Sequence, residues 1–265
     1  MLIGKKKADT YEEKKGILGN AQDYHVYHMK KPDYLLAYLI GFSLGAVVIF
    51  AFFRIVLLAV IIGVITAYMA PEYFGEYKRK QRQVQLRGQF RDLMESLAAS
   101  YSAGKNTVDA FMDARQDMIS IYGDDADIVD ELKIICTGLG NNINIEVLLQ
   151  DFAKRSEVED IQSFADVFEI CNRRGGDLKR IVGETRDIIN DKMEIEMEIE
   201  TMLSGNKNEF YIMMVMPVVI VLSLSSSGLM SAASNTFSSI VIKIVCLGIF
   251  GIAYVLGKKI IDIKI

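Results

Sequence analysis

Four apolar segments stand in two pairs, one on each side of a charged block of roughly 130 residues. No soluble globular domain distributes its apolar residues that way. The layout predicts an integral membrane protein that holds one helical domain in the cytosol. About half of the chain is hydrophobic (51%) and a quarter charged (24%). The first figure is too high for an ordinary soluble domain and the second too high for a pure membrane bundle.

The first apolar stretch runs from Tyr34 to Ala70, interrupted only by Arg54. As one helix it would be about 55 Å long at ~1.5 Å per residue, against a hydrocarbon core of about 30 Å. Two spans fit instead, with Arg54 snorkelling at the turn. Lysines precede the stretch, and Lys78, Arg79, Lys80, Arg82 and Arg87 follow it. Both clusters belong on the cytoplasmic side, which two spans allow and one does not. The second pair covers Phe210–Leu224 and about Ile240–Leu256, joined by the uncharged linker Ser225–Ser239. Lys258 and Lys259 anchor its end, Lys243 snorkels from its outer part, and Pro217 bends its first helix. The polar start of the chain carries no cleavable signal peptide pattern.

Apolar residues in the block recur at helical spacing. The stripes are Phe90, Leu93, Leu97, Tyr101; Phe111, Ala114, Met118, Ile121; Ile128, Leu132, Ile135, Leu139; Ile145, Leu148, Leu149, Phe152; Ile161, Phe164, Ala165, Phe168; and Leu178, Ile181, Val182. Each marks one face of an amphipathic helix. Gly104, Gly123, Gly140 and the pair Gly175-Gly176 fall between them, with Asn106, Asn144 and Asp177 as N-caps. Short connections imply antiparallel neighbours. The expected fold is all-α: two transmembrane helical hairpins flanking a cytosolic antiparallel bundle of about six helices. The corresponding boundaries are a tail over 1–33, hairpin 34–70, bundle 71–209, hairpin 210–257 and tail 258–265. Met193–Glu200 alternates with period 2 like a strand. Its Met and Glu content favours helix, and a lone strand has no partner. A helix from Asp177 to about Asn208 is expected.

Chemistry is scarce. No phosphate-binding glycine loop or zinc-protease motif occurs, and the only two histidines, His25 and His28, lie in the tail. They read as ordinary polar residues, since nothing completes a metal site. Cys136, Cys171 and Cys246 form no zinc or disulfide pattern, consistent with a reducing cytosol. Glu194, Glu196, Glu198 and Glu200 point in different directions round a helix, so at most two would share a cation. The expectation is a non-enzyme with no cofactor and no metal. From Asp92 to Asn208 there are 12 Lys and Arg against 25 Asp and Glu, a net of −13. That excludes nucleic acid as partner and permits a basic protein. Six basic and no acidic residues from Lys78 to Arg91 read as a collar over anionic lipid.

The order of short motifs adds to this. Gln89-Phe90-Arg91-Asp92-Leu93 leads to Ser102-Ala103-Gly104 and Thr107-Val108-Asp109-Ala110-Phe111. Leu148-Leu149-Gln150-Asp151-Phe152-Ala153-Lys154-Arg155, Arg174-Gly175-Gly176-Asp177-Leu178, Glu184-Thr185-Arg186 and Ser204-Gly205 follow. The series, over about residues 86–220, resembles the type II secretion F domain in the single-domain form of tight-adherence (Tad) pilus platforms. The resemblance implies a multi-pass protein of the bacterial inner membrane with both termini cytosolic. It implies as partners a cytosolic hexameric secretion ATPase, pilin subunits, and a second copy of the domain from a homodimer or a paralogous protein. Arg173, Arg174, Glu194, Glu196, Glu198 and Glu200 are the candidate partner-binding residues. Gly104, Gly175 and Gly176 are expected as structural turns and Pro217 as a helix kink. Two competing classes are an ATPase-driven permease subunit and a membrane-anchored sensor or dimerisation module. The first needs a polar path inside the membrane, for which only Arg54, Lys243 and Pro217 qualify, and the second a phosphoacceptor motif or nucleotide fold, which does not accompany it.

Overall fold

A computed structural model describes residues 16–19, 21–27, 29, 31–53, 55–226 and 237–261. Arg54, His28 and most of the 225–239 linker lie outside the described residues, as do the N-terminal lysines up to Lys15. The described chain is helical, with no strand among the described residues. Its helices are α1 (Lys31–Phe53), α2 (Val56–Ser102), α3 (Thr107–Tyr122), α4 (Asp127–Gly140), α5 (Ile145–Ser156), α6 (Glu159–Arg173), α7 (Leu178–Ser226) and α8 (Phe237–Ile261). They form two compact units. Unit 1 takes residues 1–28 and 75–193, and unit 2 takes 29–74 and 194–265. Helices α2 and α7 contribute residues to both.

Unit 1 is organised by the expected stripes. Phe90, Leu93 and Leu97 of α2 are buried with Phe111, Ala114 and Met118 of α3, and with Ile128, Leu132 and Ile135 of α4. Leu148, Leu149 and Phe152 of α5, Phe164 and Phe168 of α6, and Val182 and Ile189 of α7 complete the same core. Ile121 departs from its stripe and is 59% exposed. It sits in the last turn of α3, which closes at Gly123; beyond Met118 no residue of α3 is buried, and only Ile119, partly buried, packs against the core. Consecutive helices α3 and α4, α4 and α5, and α5 and α6 pack on each other.

Local chemistry sets the helix ends. Asn106 caps α3, accepting from the Asp109 N–H at 2.9 Å, while its amide donates to the Asp109 carboxylate at 2.8 Å. The start of α4 lacks a side-chain cap of its own, and Gln89 of α2 accepts from the Ile128 N–H at 3.1 Å instead. Gly104 (φ 82°) and Gly175 (φ 65°) hold left-handed backbone, where a Cβ is strained. Gly176 acts differently, since a Cβ there would collide with the Cys171 sulfur. Between α4 and α5 the left-handed residue is Asn142 (φ 58°), with Gly140 still inside the helix. Asn tolerates that region better than most residues because its short amide bonds locally.

Asp160 ties three helices of this unit together. It accepts from Arg87 of α2 and, at 2.9 Å, from Lys192 of α7. Burial pushes the carboxyl's pKa up, but the bonds from Lys192 and Arg87 outweigh burial and hold it below the usual carboxylate value. A depressed folded pKa gives stability that is present above the unfolded pKa of about 3.9 and lost as pH falls through the folded value. We therefore expect Asp160→Asn to melt below the wild type at neutral pH. The gap between the two melting temperatures should begin to narrow below about pH 4, where the unfolded carboxyl protonates, and close as pH falls through the lower folded value. A gap that stays constant across a pH series of circular dichroism melts would contradict this.

In unit 2, small residues bring α1 against the first part of α2. Ala37, Gly45, Ile49 and Ala51 of α1 are buried. A Cβ at Gly41 would collide with Ala70 and one at Gly45 with Thr66. The Thr66 hydroxyl lies 2.9 Å from the Gly41 carbonyl and 3.1 Å from Ile62 in its own helix. Small residues that let backbones approach, with a hydroxyl between them, suit helix association where water is absent. The faces turned outward are apolar, Leu57 reaching 73% exposure. Helices α1 and α2 are long and apolar enough to cross a membrane. The second expected pair maps onto the end of α7 and onto α8, whose apolar part Val241–Gly257 has 17 residues. Phe210 stacks on Tyr254 with centroids 6.3 Å apart and touches Gly257.

Helix α7 is longer than expected. It does not stop near Asn208 but continues through Pro217 to Ser226 as one helix of 49 residues. Gly205 and Asn208 weaken a helix without terminating it, and a proline costs one backbone donor while its neighbours keep theirs. Helix α2 likewise continues through Pro71.

Candidate functional site

The predicted partner residues occupy two places. Arg173 ends α6, is mostly exposed, and pairs with Glu169 at 2.9 Å. Arg174 follows as the C-cap, with its N–H bonded to the Ile170 carbonyl. Both belong to unit 1, whereas Glu194, Glu196, Glu198 and Glu200 belong to unit 2, on α7. Glu194, Glu198 and Glu200 are exposed and Glu196 is half-buried. On a helix Glu194 and Glu198 fall on one side and Glu196 and Glu200 on another. Exposed Ile195, Met197 and Met202 lie between and beyond them. This mixed acidic and apolar surface suits a basic, amphipathic protein face. Among the described residues no cluster of three or more His, Cys, Asp or Glu is placed to hold a metal.

The basic run Lys78–Arg91 is divided in its duties. Arg82 pairs with Asp127, Arg87 with Asp160 and Arg91 with Asp92. Those three charges are engaged within the protein. Lys80 lies 3.6 Å from the carboxylate of Glu76, one turn earlier on α2.

A second constellation was not anticipated from sequence. Arg155 of α5 and Glu131 of α4 form a fork-to-fork ion pair, with Nη1 2.7 Å from Oε1 and Nη2 2.6 Å from Oε2. Their side chains are 2% and 1% exposed. Nε of Arg155 donates to Asp151 at 2.8 Å, one turn earlier on α5. Nη1 also donates to the Gln22 carbonyl at 2.9 Å. Glu131 accepts a further bond from the Tyr24 hydroxyl at 3.0 Å. Burial pushes the Glu131 carboxyl up in pKa, opposed by Arg155 and Tyr24, and the same burial raises the Tyr24 phenol. Arg82, itself held by Asp127, lies over the Tyr24 ring at 4.7 Å. His25 Nδ1 sits 2.6 Å from Glu157, the left-handed residue (φ 53°) that closes α5.

The cluster saturates its charges rather than exposing a reactive one. Arg155 has donors on every nitrogen committed, and each Glu131 oxygen is occupied. A sequence signal existed: Arg155 is seven residues after Leu148 and three after Phe152, and Glu131 three after Ile128, so both lie on the core face of their helices. Charged residues in that phase require a buried partner. Tyr24 and Gln22 carry no such periodic signal.

No known protein family, curated protein or solved structure matches this chain.

Proposed function

We propose that this protein is a non-enzymatic assembly platform of a Tad or type IV-like pilus, or of a type II secretion machine. In this reading two transmembrane hairpins flank a cytosolic antiparallel bundle in the bacterial inner membrane, with both termini cytosolic. The platform couples a cytosolic hexameric secretion ATPase to the extraction and assembly of pilin subunits. The carrying observation is the continuity of α2 and α7, each one unbroken helix with an apolar end and a charged end. A force applied to the charged part has a covalent, hydrogen-bonded route into the apolar part, and Pro217 supplies a point at which α7 bends. The two apolar helices long enough for a membrane support the location, and the motif order over about residues 86–220 supports the family. A homodimer or a paralogous F-domain protein supplies the second domain copy.

The ATPase meets the acidic surface of α7, with the Arg173-Arg174 turn as a second contact. The test is capture of the cognate ATPase by detergent-solubilised protein. Reversing Glu194, Glu196, Glu198 and Glu200 to Lys should lower capture at least ~10-fold, the loss of about 1.4 kcal/mol or more, and should weaken the salt dependence of what remains. Capture equal to the wild type removes that surface from the mechanism.

A further inference from the structure

Tyr24 is out of keeping with its surroundings. It lies in a non-helical segment of exposed and half-exposed residues, yet is itself 2% exposed. It is the only residue before α1 that joins the main core cluster among the described residues. What holds it is recognition on several atoms at once. Its backbone N–H donates to the Arg155 carbonyl at 3.1 Å, and the Gln22 carbonyl accepts from Arg155 at 2.9 Å. Thus α5 reads the main chain at two points leading into the ring, the Gln22 carbonyl and the Tyr24 N–H. The hydroxyl is read by Glu131 and the ring face by Arg82.

The slot does not depend on this occupant for its own charge balance. Without the segment, Arg155 keeps Glu131 and Asp151, Glu131 keeps both bonds from Arg155, and Arg82 keeps Asp127. Departure would admit water to the positions vacated by the Gln22 carbonyl and the Tyr24 hydroxyl. No charge is left buried and alone, which is the condition that makes removal of an ion-pair partner so costly. Groups that stay paired when a segment leaves are what a reversible docking site requires.

We propose that α2, α4 and α5 form a peptide-docking slot for a non-helical, tyrosine-bearing segment that turns at the tyrosine, and that residues 21–25 of this chain occupy it in cis. The slot selects a tyrosine with a free main-chain carbonyl two residues before it. While the chain's own segment is seated, a competing peptide of the same chemistry is excluded. Release of the segment opens the site.

The test uses the full chain in detergent and a fluorescent peptide of residues 21–27. A short tether gives the resident segment an effective concentration in the millimolar range, so the peptide is titrated to about 1 mM. Saturable anisotropy with the Tyr24→Ala protein is expected, with at least ~10-fold weaker binding to the wild type, whose slot is filled. A peptide carrying Tyr24→Ala should bind neither. Equal binding to both proteins, or none to either, overturns the proposal. Circular dichroism melts guard the variant. The Tyr24→Ala chain should keep a cooperative transition, and its loss would make Tyr24 an integral core residue and also overturn the proposal.

Discussion

Arg155→Leu should destabilise unit 1 by about 3–5 kcal/mol, the cost of breaking a buried pair from one side. The substitution leaves Glu131, 1% exposed, with only the Tyr24 hydroxyl for a partner. Asp151 also loses Arg155 but is 15% exposed and turns to water. The double variant Arg155→Met with Glu131→Leu removes both charges and should fall within about 1–2 kcal/mol of the wild type. Urea unfolding of the full chain in detergent distinguishes the outcomes. Losses that simply add would mean the two residues do not act as a pair. Acidity provides a second check. Without Arg155 the Glu131 carboxyl is pushed further up by burial, so the folded variant binds a proton that the unfolded chain does not hold. Its deficit relative to the wild type should therefore shrink as pH falls through that raised value.

That cluster also marks where sequence reasoning stops. Phe90, Phe111, Ile128, Phe152 and Phe164 announce themselves because an apolar residue recurring every three or four positions has one physical explanation, a buried helix face. Asn106 is equally legible, since its side chain and Asp109 satisfy each other locally. Arg155 and Glu131 stand in the same phase as the core residues, but grouping residues by apolarity passes over them. Their pairing is long-range and needs the α4–α5 contact. Tyr24 is less visible still, because its partner is 107 residues away and no period leads there. The helix ends misled in the opposite sense. The sequence points to a helix end near Asn208, yet α7 runs on through Asn208 and Pro217 to Ser226. Turn chemistry lowers helix propensity by amounts that long helical continuity on both sides overrides. For the candidate surfaces, sequence identified the charges of α7. It did not show that Arg82, Arg87 and Arg91 are spent on Asp127, Asp160 and Asp92.

Phe90→Ala is the second substitution with a large expected effect, and it bears on α2 as a helix of two units. Phe90 is fully buried and meets Phe164 edge-on at 5.7 Å and Phe152 at 6.4 Å. It is thus the point where α2 is gripped by both α5 and α6. Truncation removes the apolar transfer energy and leaves a cavity among rings that cannot collapse into it, at about 3–5 kcal/mol. Lost edge contacts contribute about 0.5–1.5 kcal/mol per pair within that total. Single domains hold only about 5–15 kcal/mol in all, so unit 1 should unfold at markedly lower temperature. Phe90→Leu fills most of the volume and should recover more than half of the loss. A double cycle with Phe164→Ala should show coupling of about 0.5 kcal/mol or more, since the rings touch. The apolar start of α2 makes none of these contacts, so the membrane-fraction yield of Phe90→Ala should match the wild type while its melting transition drops. If α2 delivers cytosolic force to its apolar part, the grip at Phe90 is where that force is collected. ATPase capture by the folded Phe90→Leu protein should then persist while filament assembly declines. Assembly undiminished in Phe90→Leu would assign the transmission to α7 instead.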